Sequence, residues 1–123
     1  MTVLAIVIGA AIGAPLRFVI DRFVTARTAG VGSIRAMPWG LFTVNVTGSV
    51  LAGLVLALTT GDLRILLLVG FCGALTTFSG FGWDANRLWA TARPAFWATV
   101  IVMPLACIIG FIASWELGSA IAG

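Results

Sequence analysis

The sequence predicts an all-α integral membrane protein with four transmembrane helices, the third broken in mid-membrane. Three observations carry this. Of the 123 residues, 61% are hydrophobic and only 9% are charged, whereas a soluble domain carries about 25% charged residues. The mean hydropathy is +1.16. The few charges cut the chain into long apolar runs, and the third run is crowded with Gly, Thr and Ser.

The charged residues are seven Arg and four acids, with no Lys and no His. That excludes most catalytic machinery and most transition-metal sites, so no enzyme is expected. The pI is near 10.2, but the net charge is only +3. The Arg residues sit between apolar runs, as membrane-flanking charge does, and do not form a nucleic-acid stripe. Cys72 and Cys107 lie inside apolar runs and read as membrane thiols, not as a disulfide framework.

A helix needs about 20 apolar residues to cross the hydrocarbon core. The first run has no charge before Arg17 and keeps its apolar pattern to Ile20. With no basic residue ahead of it, it reads as a membrane helix and not as a cleaved leader. The second run, Ala36–Gly61, has 26 uncharged residues, the third, Ile65–Trp83, has 19, and the fourth, Pro94–Trp115, has 22. The approximate helices are 3–20, 39–60, 64–83 with a break near 73–77, and 95–116, in one membrane domain over 1–123. Asp21–Pro38 reads as the longest connection, with room for a short interfacial helix. Gly61-Asp62 reads as a tight turn, and Asp84–Pro94 as the third loop. Trp39, Trp83 and Trp115 stand near run ends, as interfacial belts require. Pro104 predicts a kink in the fourth helix.

Gly9 and Gly13 share one helix face, which allows a neighbouring membrane helix to come close. Arg17 lies four residues further along that face. It either snorkels to the headgroups or caps carbonyls of a broken helix. In the second run Thr43, Asn45, Thr47, Gly48 and Ser49 fall at membrane depth. Hydroxyls there can bond their own helix. The Asn45 carboxamide cannot, and lipid offers it no partner. It is either interhelical glue or a donor lining a solute path, and Ser49 shares its face. In the third run, the thirteen residues from Gly70 to Gly82 hold four Gly, two Thr and a Ser. Each interior Gly costs a helix about 1 kcal/mol against Ala, so the cluster predicts a break. Its freed carbonyls and amides must be satisfied by protein, water or an ion. Phe78 and Phe81 share a face, and ring edges carry partial positive charge that a small anion can meet.

Three segments resemble the Fluc/CrcB family of fluoride channels. They are Gly9-Ala10-Ala11-Ile12-Gly13-Ala14-Pro15-Leu16-Arg17, the stretch Gly40-Leu41-Phe42-Thr43-Val44-Asn45-Val46-Thr47-Gly48-Ser49, and the run from Gly70 through Thr76-Thr77-Phe78-Ser79-Gly80-Phe81. The resemblance spans essentially the whole chain. It implies a passive fluoride channel in the cell membrane that exports fluoride and protects against its toxicity. It implies an antiparallel dimer with pores at the subunit interface. A structural sodium ion would sit at the centre, held by the carbonyls of Gly73 and Thr76. Asn45 corresponds to the pore asparagine, Phe78 and Phe81 to the fluoride-facing rings, and Ser79 and Thr43 to the polar lining. Gly9, Gly13, Arg17 and Gly48 are assigned to packing and support. Two features depart from the family pattern. Gly80 stands where a Thr is usual, and the fourth helix reads Met103-Pro104-Leu105-Ala106-Cys107, with no hydroxyl. These departures allow a second reading, a non-conducting or half-functional subunit. A small proton-coupled multidrug-type exporter, the third reading, needs a membrane-embedded acid, and the first run has none before Asp21.

Six Arg (17, 22, 27, 35, 87 and 93) flank the first and third loops, against Arg64 alone on the opposite side. Arg-rich short loops stay cytoplasmic, which places both termini outside. An antiparallel homodimer needs both orientations. The bias therefore predicts a homologous partner inserted the opposite way, the alternative being a second copy of this chain that inserts both ways despite it.

Overall fold

The computed structural model describes residues 1–28 and 33–123. Four helical stretches, Thr2–Thr28, Trp39–Leu58, Gly61–Thr91 and Arg93–Ala122, are long and apolar enough to cross a membrane. We label the helices α1 (Thr2–Thr28), α2 (Trp39–Leu58), α3 (61–75), α4 (Phe78–Thr91) and α5 (Arg93–Ala122). Helices α3 and α4 are the two halves of the third span. A short 3₁₀ turn, Ser33–Ala36, precedes α2.

Two connections expected as loops are helical for much of their length. α1 runs on to Thr28, and α4 runs on to Thr91, with Ala92 alone between it and α5. Residues 29–32 of the first connection lie outside the described residues. Charge ends an apolar run without ending a helix. Past Ile20 the turns are held by Thr25 Oγ1 donating to Asp21 Oδ1 at 3.3 Å. In α4 an Arg87–Asp84 ion pair at 2.9 Å does the same. Arg27 lies over the Phe23 ring at 3.5 Å and Arg93 over Trp89 at 3.8 Å, amphipathic pairs suited to a headgroup layer.

The turn into α3 needs glycine: Gly61 has φ 61°, a left-handed conformation that side chains disfavour. Arg64 then reaches back, donating from Nε to the Thr59 carbonyl at 2.7 Å and from Nη2 to the Leu56 carbonyl at 3.0 Å. It thereby satisfies two carbonyls at the C-terminus of α2, where a cation is also favoured by the helix dipole.

α3 is not wound as an ordinary α-helix throughout. Over Ile65–Cys72 the bonding is of π type, and the Gly73 N–H donates to the Leu68 carbonyl five residues back. Helix α1 crosses this segment through its glycines. A Cβ at Gly9 would strike the Leu66 carbonyl oxygen and come within 2.7 Å of the Phe71 nitrogen. A Cβ at Gly13 would strike the Phe71 carbonyl oxygen. Both glycines therefore serve close packing. α2 packs most extensively on α5. Small residues again set the approach: a Cβ at Gly53 would meet Ser114 Oγ, and one at Gly118 would come within 2.7 Å of Ala57 Cβ.

The core is small. Leu41, Val44 and Met103 are buried together, with Ile20, Phe42, Phe81 and Cys107 against them. Leu88, Ala92 and Ala95 form a second cluster at the α4–α5 corner. Many large apolar side chains instead face outward, among them Val3, Phe18, Ile101, Ile109 and Ile121. An apolar exterior of this extent is what a bilayer covers. Both cysteines are free.

Candidate functional site

The third span breaks at two residues. Thr76 (φ −83°, ψ 159°) and Thr77 (φ −150°, ψ 124°) are extended, between the end of α3 at Leu75 and the start of α4 at Phe78. Thr76 closes α3, its N–H and its hydroxyl both donating to the Cys72 carbonyl at 3.0 Å. Thr77 opens α4 as its N-cap, its Oγ1 accepting from the Gly80 N–H at 3.2 Å. The Ser79 hydroxyl lies 3.1 Å from the same oxygen. A Thr-x-x-Gly start of this kind satisfies a helix N-terminus that lipid cannot solvate.

Asn45 braces the break. Its Oδ1 accepts the Thr77 N–H at 2.8 Å, and its Nδ2 donates to the Thr77 carbonyl at 3.2 Å. One carboxamide thus pairs with both polar groups of one residue, as a neighbouring strand would. Asn45 is 8% exposed, so an unpaired amide there would carry its full desolvation cost. Gly48, one turn further along α2, has no side chain to hold the break away. A Cβ there would strike Thr76 Cγ2.

The break takes the carbonyls of residues 73–76 out of the helical bonding pattern, those of Gly73 and Thr76 among them. In a continuous helix the Thr77 N–H would serve the Gly73 carbonyl, and the Gly80 N–H would serve that of Thr76. Here those amides go to Asn45 Oδ1 and Thr77 Oγ1. Gly73 and Thr76 also line one open groove of about 510 Å³ between α2, α3 and α5. A Cβ at Gly73 would find only the Leu68 oxygen, at 3.8 Å. Neutral carbonyl oxygens in an uncrowded groove fit an alkali cation. Among the described residues no cluster of three or more His, Cys, Asp or Glu offers a carboxylate or thiolate site.

Beside this groove lies another, of about 280 Å³, lined by Asn45, Ser49, Thr76, Thr77, Phe78 and Phe81 on one side and by Met103, Pro104 and Cys107 on the other. The Phe78 and Phe81 rings are 5.7 Å apart and tilted by 32°. Phe78 is 85% exposed. On the far side of Thr77 a third cavity of about 470 Å³ opens, lined by Arg17, Asp21, Thr77, Ser79, Trp83 and Asp84 among others. Thr77 is the polar residue common to both.

Of the residues singled out in the sequence, the structure gathers Asn45, Phe78 and Phe81 in one groove and places Ser79 on the mouth beyond Thr77. Arg17 joins that mouth. Among the described residues it makes no hydrogen bond or ion pair, so it neither caps the break nor is fully withdrawn to the surface. Thr43 stands apart. Its hydroxyl donates to the Trp39 carbonyl at 2.8 Å, within its own helix. Sequence reasoning passed over Thr77 and Met103. Thr77 carried a signal, as a hydroxyl three residues ahead of Gly80 at a helix start.

The fold and site define a small polytopic membrane protein whose polar groups at depth gather around one broken helix. The family model described as CrcB-like protein, Camphor Resistance (CrcB), matches residues 4–118. A Streptomyces avermitilis protein named fluoride-specific ion channel FluC 1 is 37% identical over 115 residues, 89% of each chain. A Nocardia farcinica protein of the same name is 40% identical over 108 residues, 87% of this chain and 72% of its own. The fluoride-specific ion channel FluC of Marinobacter nauticus is 33% identical over 123 residues, 95% of this chain and 90% of its own. The chain belongs to the CrcB family.

Proposed function

We propose that this protein is a passive fluoride channel of the cell membrane that lets fluoride leave the cytoplasm. The carrying observation is the groove in which a hydrogen-bonded carboxamide, Asn45, and the close ring pair Phe78 and Phe81 flank the break. Fluoride is small and strongly hydrated, and it enters an apolar medium only where donors replace its water. Asn45, Ser49 and the edges of the two rings supply partial positive charge without a titratable group, which suits conduction and not proton coupling. Ser79 and Arg17 stand at the mouth, which Asp21 and Asp84 also line, so the donors there are local and the mouth carries no net positive field. Thr43 belongs to this lining only if its hydroxyl leaves Trp39.

The pathway as it stands is an open groove on one chain. We infer that a second subunit closes it, in antiparallel orientation. Gly73 and Thr76 then turn their freed carbonyls toward the partner and hold a sodium ion, which supplies a fixed positive charge at the centre. The six-to-one distribution of Arg supports a homologous partner of opposite orientation. The stretch Met103-Pro104-Leu105-Ala106-Cys107, which brings no hydroxyl to the groove, supports the variant in which this subunit lines a pore incompletely by itself.

The test is release of fluoride and retention of chloride by liposomes holding this chain, alone and with a co-encoded homologue. Fluoride release by either preparation sustains the reading, and retention by both overturns it. Reporters fused to the C-terminus decide the partner. A single outside orientation supports the heterodimer. Equal signal from both sides, with flux from this chain alone, supports a homodimer.

A further inference from the structure

The Asn45 carboxamide has two N–H donors, and only one meets a strong acceptor. The Thr77 carbonyl takes a proton at 3.2 Å, and the other partner of Nδ2 is the Met103 thioether, 3.6 Å away and 58 residues along the chain. Met103 is 2% exposed and belongs to the cluster with Leu41 and Val44. It also lines the groove of Asn45, Phe78 and Phe81.

A thioether sulfur is a weak acceptor and donates nothing. An N–H left bare at this depth would cost the fold its desolvation. A carbonyl or hydroxyl oxygen there would hold the proton firmly. Sulfur does neither, so it orients the amide while leaving its second proton open to a stronger acceptor. The two interactions of Asn45 with Thr77 are the ones that hold the break, and they need not change.

We propose that Met103 is a positioning residue whose sulfur holds the second Asn45 proton toward the groove and yields it to an entering anion that accepts hydrogen bonds strongly. This rests on the fluoride reading. The exchange favours fluoride over chloride, because replacing a weak acceptor gains most when the incoming acceptor is strong.

The chain has only two side-chain primary amides, Asn45 and Asn86, and no Gln. Nitrogen-15 spectra of the full-length protein in bicelles therefore show two such amide pairs, and Asn86→Ser identifies the one from Asn45. The homologous partner, if conduction needs one, is added unlabelled. On titration with sodium fluoride, one Asn45 proton shifts and its mate stays, and sodium chloride moves neither. Replacing methionine by norleucine in a Met37→Leu background exchanges sulfur for a methylene of similar size. The midpoint of the fluoride shift then falls about threefold, because no acceptor competes. An unchanged midpoint in the norleucine protein overturns the proposal, leaving Met103 as packing only. So do Asn45 resonances that stay fixed, or move together, in a preparation that conducts fluoride. A preparation that neither conducts fluoride nor shows any shift overturns the fluoride reading itself.

Discussion

Where α1 crosses α3, and where α2 meets the break, two helices approach closely for different reasons. At the first contact Gly9 and Gly13 lay bare backbone against the Leu66 and Phe71 main chain, with no side-chain hydrogen bond between them. At the second, Gly48 admits Thr76, and Asn45 takes both polar groups of Thr77. Lipid tails are as apolar as Leu, so membrane helices associate through close packing or through polar pairing. The first contact uses only packing and leaves nothing polar behind. The second also uses pairing, and so places donors and freed carbonyls at depth. The two contacts therefore differ in what they leave at depth: packed backbone at one, and hydrogen-bonding groups beside a groove at the other.

Substitution at the first contact should have the largest effect. Gly9→Val drives a branched side chain into backbone atoms that cannot rotate away. It is expected to destabilise the protein by about 3 kcal/mol or more, at the upper end for overpacking, read as lost monodisperse protein and a lowered melting temperature. A Gly9→Val protein that melts like wild type would mean α1 does not cross α3 here.

Asn45 separates bracing from conduction. Asn45→Asp keeps an acceptor for the Thr77 N–H but sets a fixed anion in the groove. Fluoride flux should fall by about two orders of magnitude through like-charge repulsion in a poorly screening site, while loss of the donor to the Thr77 carbonyl costs about 1–3 kcal/mol of stability. Unchanged flux removes Asn45 from the pathway. Asn45→Leu leaves both Thr77 groups unpaired and should cost about 1–3 kcal/mol, seen as faster hydrogen exchange at Thr77 and its neighbours.

Gly73→Val sharpens the contrast between a glycine needed inside the chain and one needed outside it. Its Cβ enters open space in this chain, so insertion and monomer fold should be near normal, within about 1 kcal/mol. Assembly and sodium dependence should suffer instead, measured by subunit crosslinking with and without sodium. Equal damage to insertion and assembly would show that Gly73 serves the monomer.

Arg64→Ala is expected to have the smallest effect. It uncovers the Leu56 and Thr59 carbonyls at the end of α2, near the membrane surface, where water can reach them, and should cost about 1 kcal/mol in thermal unfolding. It also removes the lone Arg of its side, so C-terminal reporters should show the orientation bias unchanged or strengthened.

The sequence by itself determined four spans, the glycine face of α1 and the neighbourhood of the break. These properties are local. An apolar run of about 20 residues must cross or bury, and a cluster of Gly and hydroxyl residues weakens whichever helix contains it. Helix ends were less legible, because hydropathy reports where lipid stops and not where backbone bonding stops. Hence α1 runs beyond Ile20 and α4 beyond Trp83. The composition also gave no sign of the π winding over Ile65–Cys72. Tertiary structure alone decided the partners of the polar groups. Asn45 was legible as an amide in need of partners, but Thr77 is 32 residues away and Met103 is 58. Thr43 and Ser79 looked alike as hydroxyls at depth, yet one bonds its own helix and the other faces the mouth. A carboxamide or hydroxyl states how many hydrogen bonds it must make. Which atoms accept and donate them is set only when the helices have packed.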